Sequence, residues 1–233
     1  ARLYIESFQR ANLGRQDQTF KPLAVRSLAE QQAELPGWRL DHLSRLTDAT
    51  GMFQHATYTI PNFAEGYCTD DNARALLLTV LLEELGQDSP DVRRFAATYS
   101  AFLQAAFDRE RKRFRNFMGF DRRWLEEIGS EDCHGRALWA LGACVGRSRR
   151  PDLSSWAASH FELALPAILE TTSPRTWASG LLGIHEYLRR LGGDRLAAQV
   201  RDTLTTRLVE LYERTATPDW QWFEEILSYD NAR

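Results

Sequence analysis

The stretch Thr69-Asp70-Asp71-Asn72-Ala73-Arg74-Ala75-Leu76-Leu77-Leu78-Thr79-Val80-Leu81-Leu82-Glu83-Glu84-Leu85-Gly86 decides the fold class. Ala73, Leu76, Leu77, Val80 and Leu81 recur at intervals of three and four, which lays an apolar stripe along one α-helix. Gly86 ends that helix. Ser89-Pro90 opens the next, with proline in the first turn, where its missing N–H has no intrahelical partner to lose. The second helix runs to about Phe107 through Val92, Phe95, Ala96, Tyr99, Phe102, Leu103 and Ala106. Two helices joined by a short link make a hairpin, and the rest of the chain repeats the plan.

Downstream, the same periodicity predicts helices near residues 132–146, 152–170, 174–191 and 194–213. Polar, aromatic stretches without helical period separate or follow them at 108–130 and 214–228. Upstream, residues 1–11 read as a short helix and Leu13 to Phe20 as a Gly-bearing linker. Residues 22–35 suit a helix ended by Pro36-Gly37, another short helix starts near Leu40, and Thr50 to Glu65 reads as irregular. No stretch alternates in the manner of a strand over more than a few residues, so the expected class is all-α. The expected organisation is a tail or linker over residues 1–20 and one helical domain over 21–233. Ala1 lies inside an apparent helix and Arg233 falls where a new one begins, so the chain reads as a segment of a longer protein.

Self-similarity is the strongest internal signal. Trp124-Leu125-Glu126-Glu127-Ile128 is echoed by Trp222-Phe223-Glu224-Glu225-Ile226. Each is followed by a related tail, Ser130-Glu131-Asp132-Cys133-His134-Gly135-Arg136 in one case and Ser228-Tyr229-Asp230-Asn231-Ala232-Arg233 in the other. Thr69-Asp70-Asp71-Asn72-Ala73-Arg74 is a third copy of the tail, and Arg175-Thr176-Trp177-Ala178-Ser179-Gly180 a degenerate fourth without the acid. Spacings of roughly 43 to 62 residues between the copies suit stacked helical hairpins, each needing its neighbours to bury its apolar face.

Taken together, the segments Gly66 to Leu76, Ser130 to Gly142 and Tyr229 to Arg233 resemble a bacterial family of six-hairpin, glycosidase-like (α/α) toroid domains. Such domains are often fused behind a glycosyltransferase of the GT-B type. The run His42-Leu43-Ser44-Arg45-Leu46-Thr47-Asp48 through Gly51-Met52-Phe53-Gln54-His55-Ala56 resembles that family's opening motif. The resemblance covers about residues 40–233 and implies a toroid of which roughly four hairpins of six are countable here. It implies a carbohydrate-active module acting on a glycosidic bond, or else a non-catalytic glycan-binding or scaffolding domain beside a glycosyltransferase. The implied partners are an oligosaccharide or glycoside and a fused or neighbouring glycosyltransferase domain.

Inner helices of such a toroid gather one set of termini around a cavity. Asp71, Asp132, Asp230 and Glu131 are the candidate catalytic acids, with Asp70 beside them. Cleavage of a glycosidic bond needs one carboxylic acid to protonate the leaving oxygen and a second carboxylate to activate water or attack. The two stand ~6.5–9.5 Å apart for inversion and ~5–5.5 Å for retention. The alternative role for these acids is helix capping, or pairing with Arg74, Arg136 and Arg233 one turn on. Arg74 and Arg136 are candidates to orient a carboxylate or grip a sugar hydroxyl. Tyr67, Phe120, Trp124, Trp220, Trp222 and Tyr229 are candidates to stack on pyranose faces, although Trp124 and Trp222 also suit buried wedges between hairpins. Glu127, Glu225 and His134 complete the candidate binding set.

Other classes find less support. A net charge of −3 and a pI near 6.0 give no cause to expect nucleic acid as a partner. No apolar run approaches the ~20 residues of a membrane span. His134, Cys133 and His55 match no metal-ligand spacing, and no P-loop or Gly-rich dinucleotide motif is present, so no metal or cofactor is expected. Three cysteines (Cys68, Cys133, Cys144) make no disulfide framework, and a reducing, cytoplasmic setting is the simpler expectation.

Overall fold

The computed structural model describes residues 37–224, and almost all of them fall in one compact unit that begins at Leu40. The class is all-α. Helices α1 (Asp41–Leu46), α2 (Thr69–Glu84), α3 (Pro90–Ala106), α4 (Glu131–Arg147), α5 (Pro151–Ala164), α6 (Pro174–Arg190) and α7 (Arg195–Thr215) carry the structure. Strands are confined to two-residue pairs: β1 (Ala56–Thr57) with β2 (Ile60–Pro61), β3 (Tyr67–Cys68) with β6 (Phe117–Met118), and β4 (Phe107–Asp108) with β5 (Arg113–Phe114).

Among the described residues, helices α2 to α7 form three successive hairpins. Helix α4 packs against both α2 and α6, giving a row of three parallel helices, and α3, α5 and α7 each fold back on their predecessor. The stripe expected on α2 is buried at Ala73, Leu76 and Val80, facing α3 residues Phe95, Tyr99, Phe102 and Leu103 within one core cluster. That cluster continues through Leu138, Leu141, Phe161, Ile184 and Tyr187 into the later hairpins.

Helices α4 and α6 approach closely because both present glycine. A Cβ on Gly142 would collide with the Gly183 carbonyl oxygen, and one on Gly183 would collide with that of Leu138. Only hydrogen fits there. At the far end of the row, buried Glu83 closing α2 accepts hydrogen bonds from Ser148 Oγ (3.0 Å), Arg149 N (2.6 Å) and Arg150 Nε (3.3 Å), tying the first hairpin to the second. Arg147 joins Glu84 (2.7 Å) to Glu186 (2.6 Å), linking the second hairpin to the first and third.

Two local departures from expectation have simple causes. The helix expected over 152–170 stops at Ala164 and continues as a 3-10 segment, Leu165–Glu170. Pro166 lacks an N–H and its ring opposes the carbonyl four residues back, so the α-helical ladder breaks there. The stretch 108–130, expected to be irregular, holds β5 and β6, whose two-residue length is too short to show as alternation. The expected tail over 1–20 and the last repeat copy, with Tyr229, Asp230 and Glu225, lie outside the described residues.

Candidate functional site

The first turns of α2, α4 and α6 meet at one end of the row, and their N-caps differ from expectation. The side chain of Cys68 accepts from Asp71 N, Ser130 from Cys133 N and Ser173 from Thr176 N. The repeated acids sit one to three residues further in, so capping does not account for them. They complement the positive helix ends, and their side chains turn to other partners.

Those partners form a chain of alternating charge. Arg74 bridges Asp70 (2.9 Å) and Asp71 on its own helix. Arg136 of α4 reaches back to α2, its Nε 2.6 Å from Asp70 Oδ1. Asp132 Oδ1 accepts from Ser173 Oγ and Thr176 Oγ1, each at 3.1 Å, while its Oδ2 lies 3.2 Å from Arg175. Burial pushes the Asp70 carboxyl above its ordinary value against the opposing pull of Arg74 and Arg136, and Asp71 and Asp132 push it the same way. Burial and Asp71 also push the Cys68 thiol up, so it stays protonated and donates to Asp71 Oδ2 at 3.0 Å.

Above these residues opens a cleft of about 340 Å³. Asp70, Asp71 and Arg74 supply its α2 wall, Asp132 and Arg136 its α4 wall, and Arg175 its α6 edge. Gln54, His55, Asn116 and Phe117 line it from the loops. Glu126 holds that second loop in place, its Oε1 accepting from Asn116 N (2.6 Å) and Phe117 N (3.1 Å). Asn116 in turn accepts from Asp70 N through its side chain (3.3 Å) and from Thr69 N through its carbonyl (2.8 Å).

The cleft therefore gathers five of the residues read from the sequence, Asp70, Asp71, Arg74, Asp132 and Arg136. Others are placed elsewhere. Glu131 turns away to accept from Thr172 N (2.8 Å) and Ser173 N (2.7 Å), holding the approach to α6 rather than lining the cleft. Tyr67 is 1% exposed, stacked on Phe53 and bonded to Asp48 Oδ2 at 2.7 Å, which leaves no ring face for a sugar. His134 is fully buried, its Nε2 3.2 Å from the Ala164 carbonyl, and is likewise removed from any ligand. Trp124 packs edge-on against Phe102 with Arg115 over its ring, which is the wedge role. Glu127 pairs with Arg111 at 2.6 Å and does not line the cleft. Trp220 donates from Nε1 to the Glu224 carbonyl at 2.7 Å, Trp222 lies against Phe223, and Phe120 stacks on Phe63. None of these three lines the cleft.

Four cleft residues were not among the candidate site residues: Asn116 and Phe117 sit in the aromatic stretch 108–130, Gln54 in the opening motif and Arg175 in the degenerate repeat copy, and the fold brings them to the acids. Among the described residues no group of three or more His, Cys, Asp or Glu is placed to hold a metal ion, and no helix is long and apolar enough to cross a membrane. In comparisons with protein-family models and with curated protein sequences, nothing matches this chain.

Proposed function

We propose that this chain is a carbohydrate-active helical module that holds a glycan in the cleft at the shared N-terminal rim and acts on its glycosidic bond by carboxylate chemistry. The three described hairpins are then an arc of a six-hairpin (α/α) toroid. One observation carries the reading: aspartates from two successive hairpins and arginines from three converge on a single open cleft. Paired carboxylates and guanidiniums offer acceptors and donors to the vicinal hydroxyls of a sugar ring. The part-exposed ring of Phe117 supplies an apolar wall for its C–H face.

Within that arrangement Asp70, whose carboxyl burial raises above its ordinary value, is the proposed proton donor. Asp132, oriented by Ser173, Thr176 and Arg175, is the carboxylate that activates water. A second reading, glycan binding without cleavage, is favoured by the same ion pairs, because Asp70, Asp71 and Asp132 each already face an arginine. The free, buried cysteines Cys68, Cys133 and Cys144 suit a reducing cytoplasmic setting, and a neighbouring glycosyltransferase is the proposed partner.

The test is sugar release and saturable binding on a panel of manno-, gluco- and galacto-oligosaccharides, with Asp132→Asn as the control. Release that vanishes in a folded Asp132→Asn protein establishes the hydrolytic reading. Binding without release establishes the second. Neither binding nor release on any glycan overturns both.

A further inference from the structure

The fold employs only half of the Asn116 side chain. The residue is 5% exposed, and the space it lines is the cleft. Its Oδ1 accepts from Asp70 N at 3.3 Å. A backbone N–H can only donate, so this bond decides which end of the amide is oxygen. Nδ2 is the other end. Among the described residues no acceptor meets it, and it is not sealed from solvent, so it opens on the cleft.

The amide is held still. Glu126 Oε1 accepts from Asn116 N at 2.6 Å and from Phe117 N at 3.1 Å. Thr69 N donates to the Asn116 carbonyl at 2.8 Å, and Thr69 Oγ1 to the Arg115 carbonyl at 2.5 Å. Phe117 and Met118 then pair with Cys68 and Tyr67 as β6 and β3. The backbone on both sides of Asn116 is thus sewn to the start of α2, which leaves little freedom to lose when Nδ2 meets a ligand. Supporting α2 uses the oxygen alone. The nitrogen is a fixed donor left over beside an open cleft.

Nδ2 carries two N–H groups and no lone pair, so its partner must be an acceptor. A hydroxyl oxygen accepts and also donates its own proton, which a carboxylate on the α2 or α4 wall can take. Phe117, pinned by the same Glu126, supplies the ring wall next to it. Resting on the glycan reading above, we propose that Asn116 is a ligand-contacting residue that reads one sugar hydroxyl through Nδ2.

The experiment uses the full chain, 15N-labelled, with the tightest-binding member of the manno-, gluco- and galacto-oligosaccharide panel and with its monodeoxy forms. The Asn116 side-chain amide resonances should shift on addition of the complete sugar. One deoxy form should bind about tenfold weaker, the worth of one hydrogen bond, and should leave those resonances in place. Asn116→Ala, shown folded by its thermal melt, should bind the complete sugar about tenfold weaker and lose nothing further with that deoxy form. A sugar that binds without moving the amide overturns the inference and leaves the glycan reading intact. So do hydroxyl deletions that cost the parent protein and Asn116→Ala alike. Failure of every oligosaccharide in the panel to bind overturns the glycan reading and this inference with it.

Discussion

Arg136 of α4 sets its Nε 2.6 Å from Oδ1 of Asp70 on α2, yet that buried oxygen accepts no well-directed hydrogen bond. Attraction reaches the carboxylate, but the directed donor that best stabilises a charged form does not. Burial raises the Asp70 carboxyl above its ordinary value despite two arginines beside it.

Removal of Arg136 should move that balance further. In Arg136→Gln the lowering influence of one guanidinium is gone, so the Asp70 carboxyl should titrate higher than in the parent protein. Carbon-detected NMR of the side-chain carboxyls reads both midpoints. A midpoint in the parent at or below the ordinary 3.8 would remove the basis for assigning Asp70 as proton donor.

Gly142 should tolerate no side chain. In a free helix, glycine to alanine gains up to ~1 kcal/mol, but here the new methyl meets the backbone of Gly183, which cannot swing aside. Gly142→Ala should destabilise the fold by about 1–3 kcal/mol in chemical denaturation. Gly193→Ala, with open space around its Cβ, should change stability by less than ~0.5 kcal/mol. Equal melts for the two variants would contradict the close approach of α4 and α6.

Acid should weaken the fold partly through His134. Burial and the nearby charge of Arg113 lower its pKa from 6.5 to about 3, so the folded protein keeps the ring neutral while the unfolded chain protonates it. Between those values the unfolded state binds the extra proton, and stability falls as pH drops from about 6.5 towards 3. His134→Gln should flatten this slope relative to the parent protein, as followed by denaturant midpoints across that range. Parallel slopes would mean the ring is solvated.

The helices were legible because their stripes are long. Ala73, Leu76 and Val80 mark α2 as plainly in sequence as in the core they occupy. The repeated Asp-x-x-x-Arg and Asp-x-x-Arg spacings likewise brought Asp70, Asp71, Arg74, Asp132 and Arg136 to attention, and these five share the cleft. Illegible was the direction each side chain takes. Glu131 adjoins Asp132, yet at that step along the helix it faces the approach to α6. Tyr67 and His134 read as polar aromatics near the rim, but packing against Phe53 and Phe114 draws them inside. Asn116 and Phe117 reach the acids only through a two-residue strand pair and the Glu126 carboxylate, contacts with no local periodicity to betray them.

The most direct measurement is hydrogen–deuterium exchange of the full chain with and without a saturating glycan from the panel above. Protection confined to the first turns of α2, α4 and α6 and to the 116–117 loop is the predicted result, since those backbone segments line the cleft. Protection centred instead on the groove between Trp177, Arg207 and Arg214, or no change at any of the three helix starts, would contradict the assignment of the cleft as the glycan site.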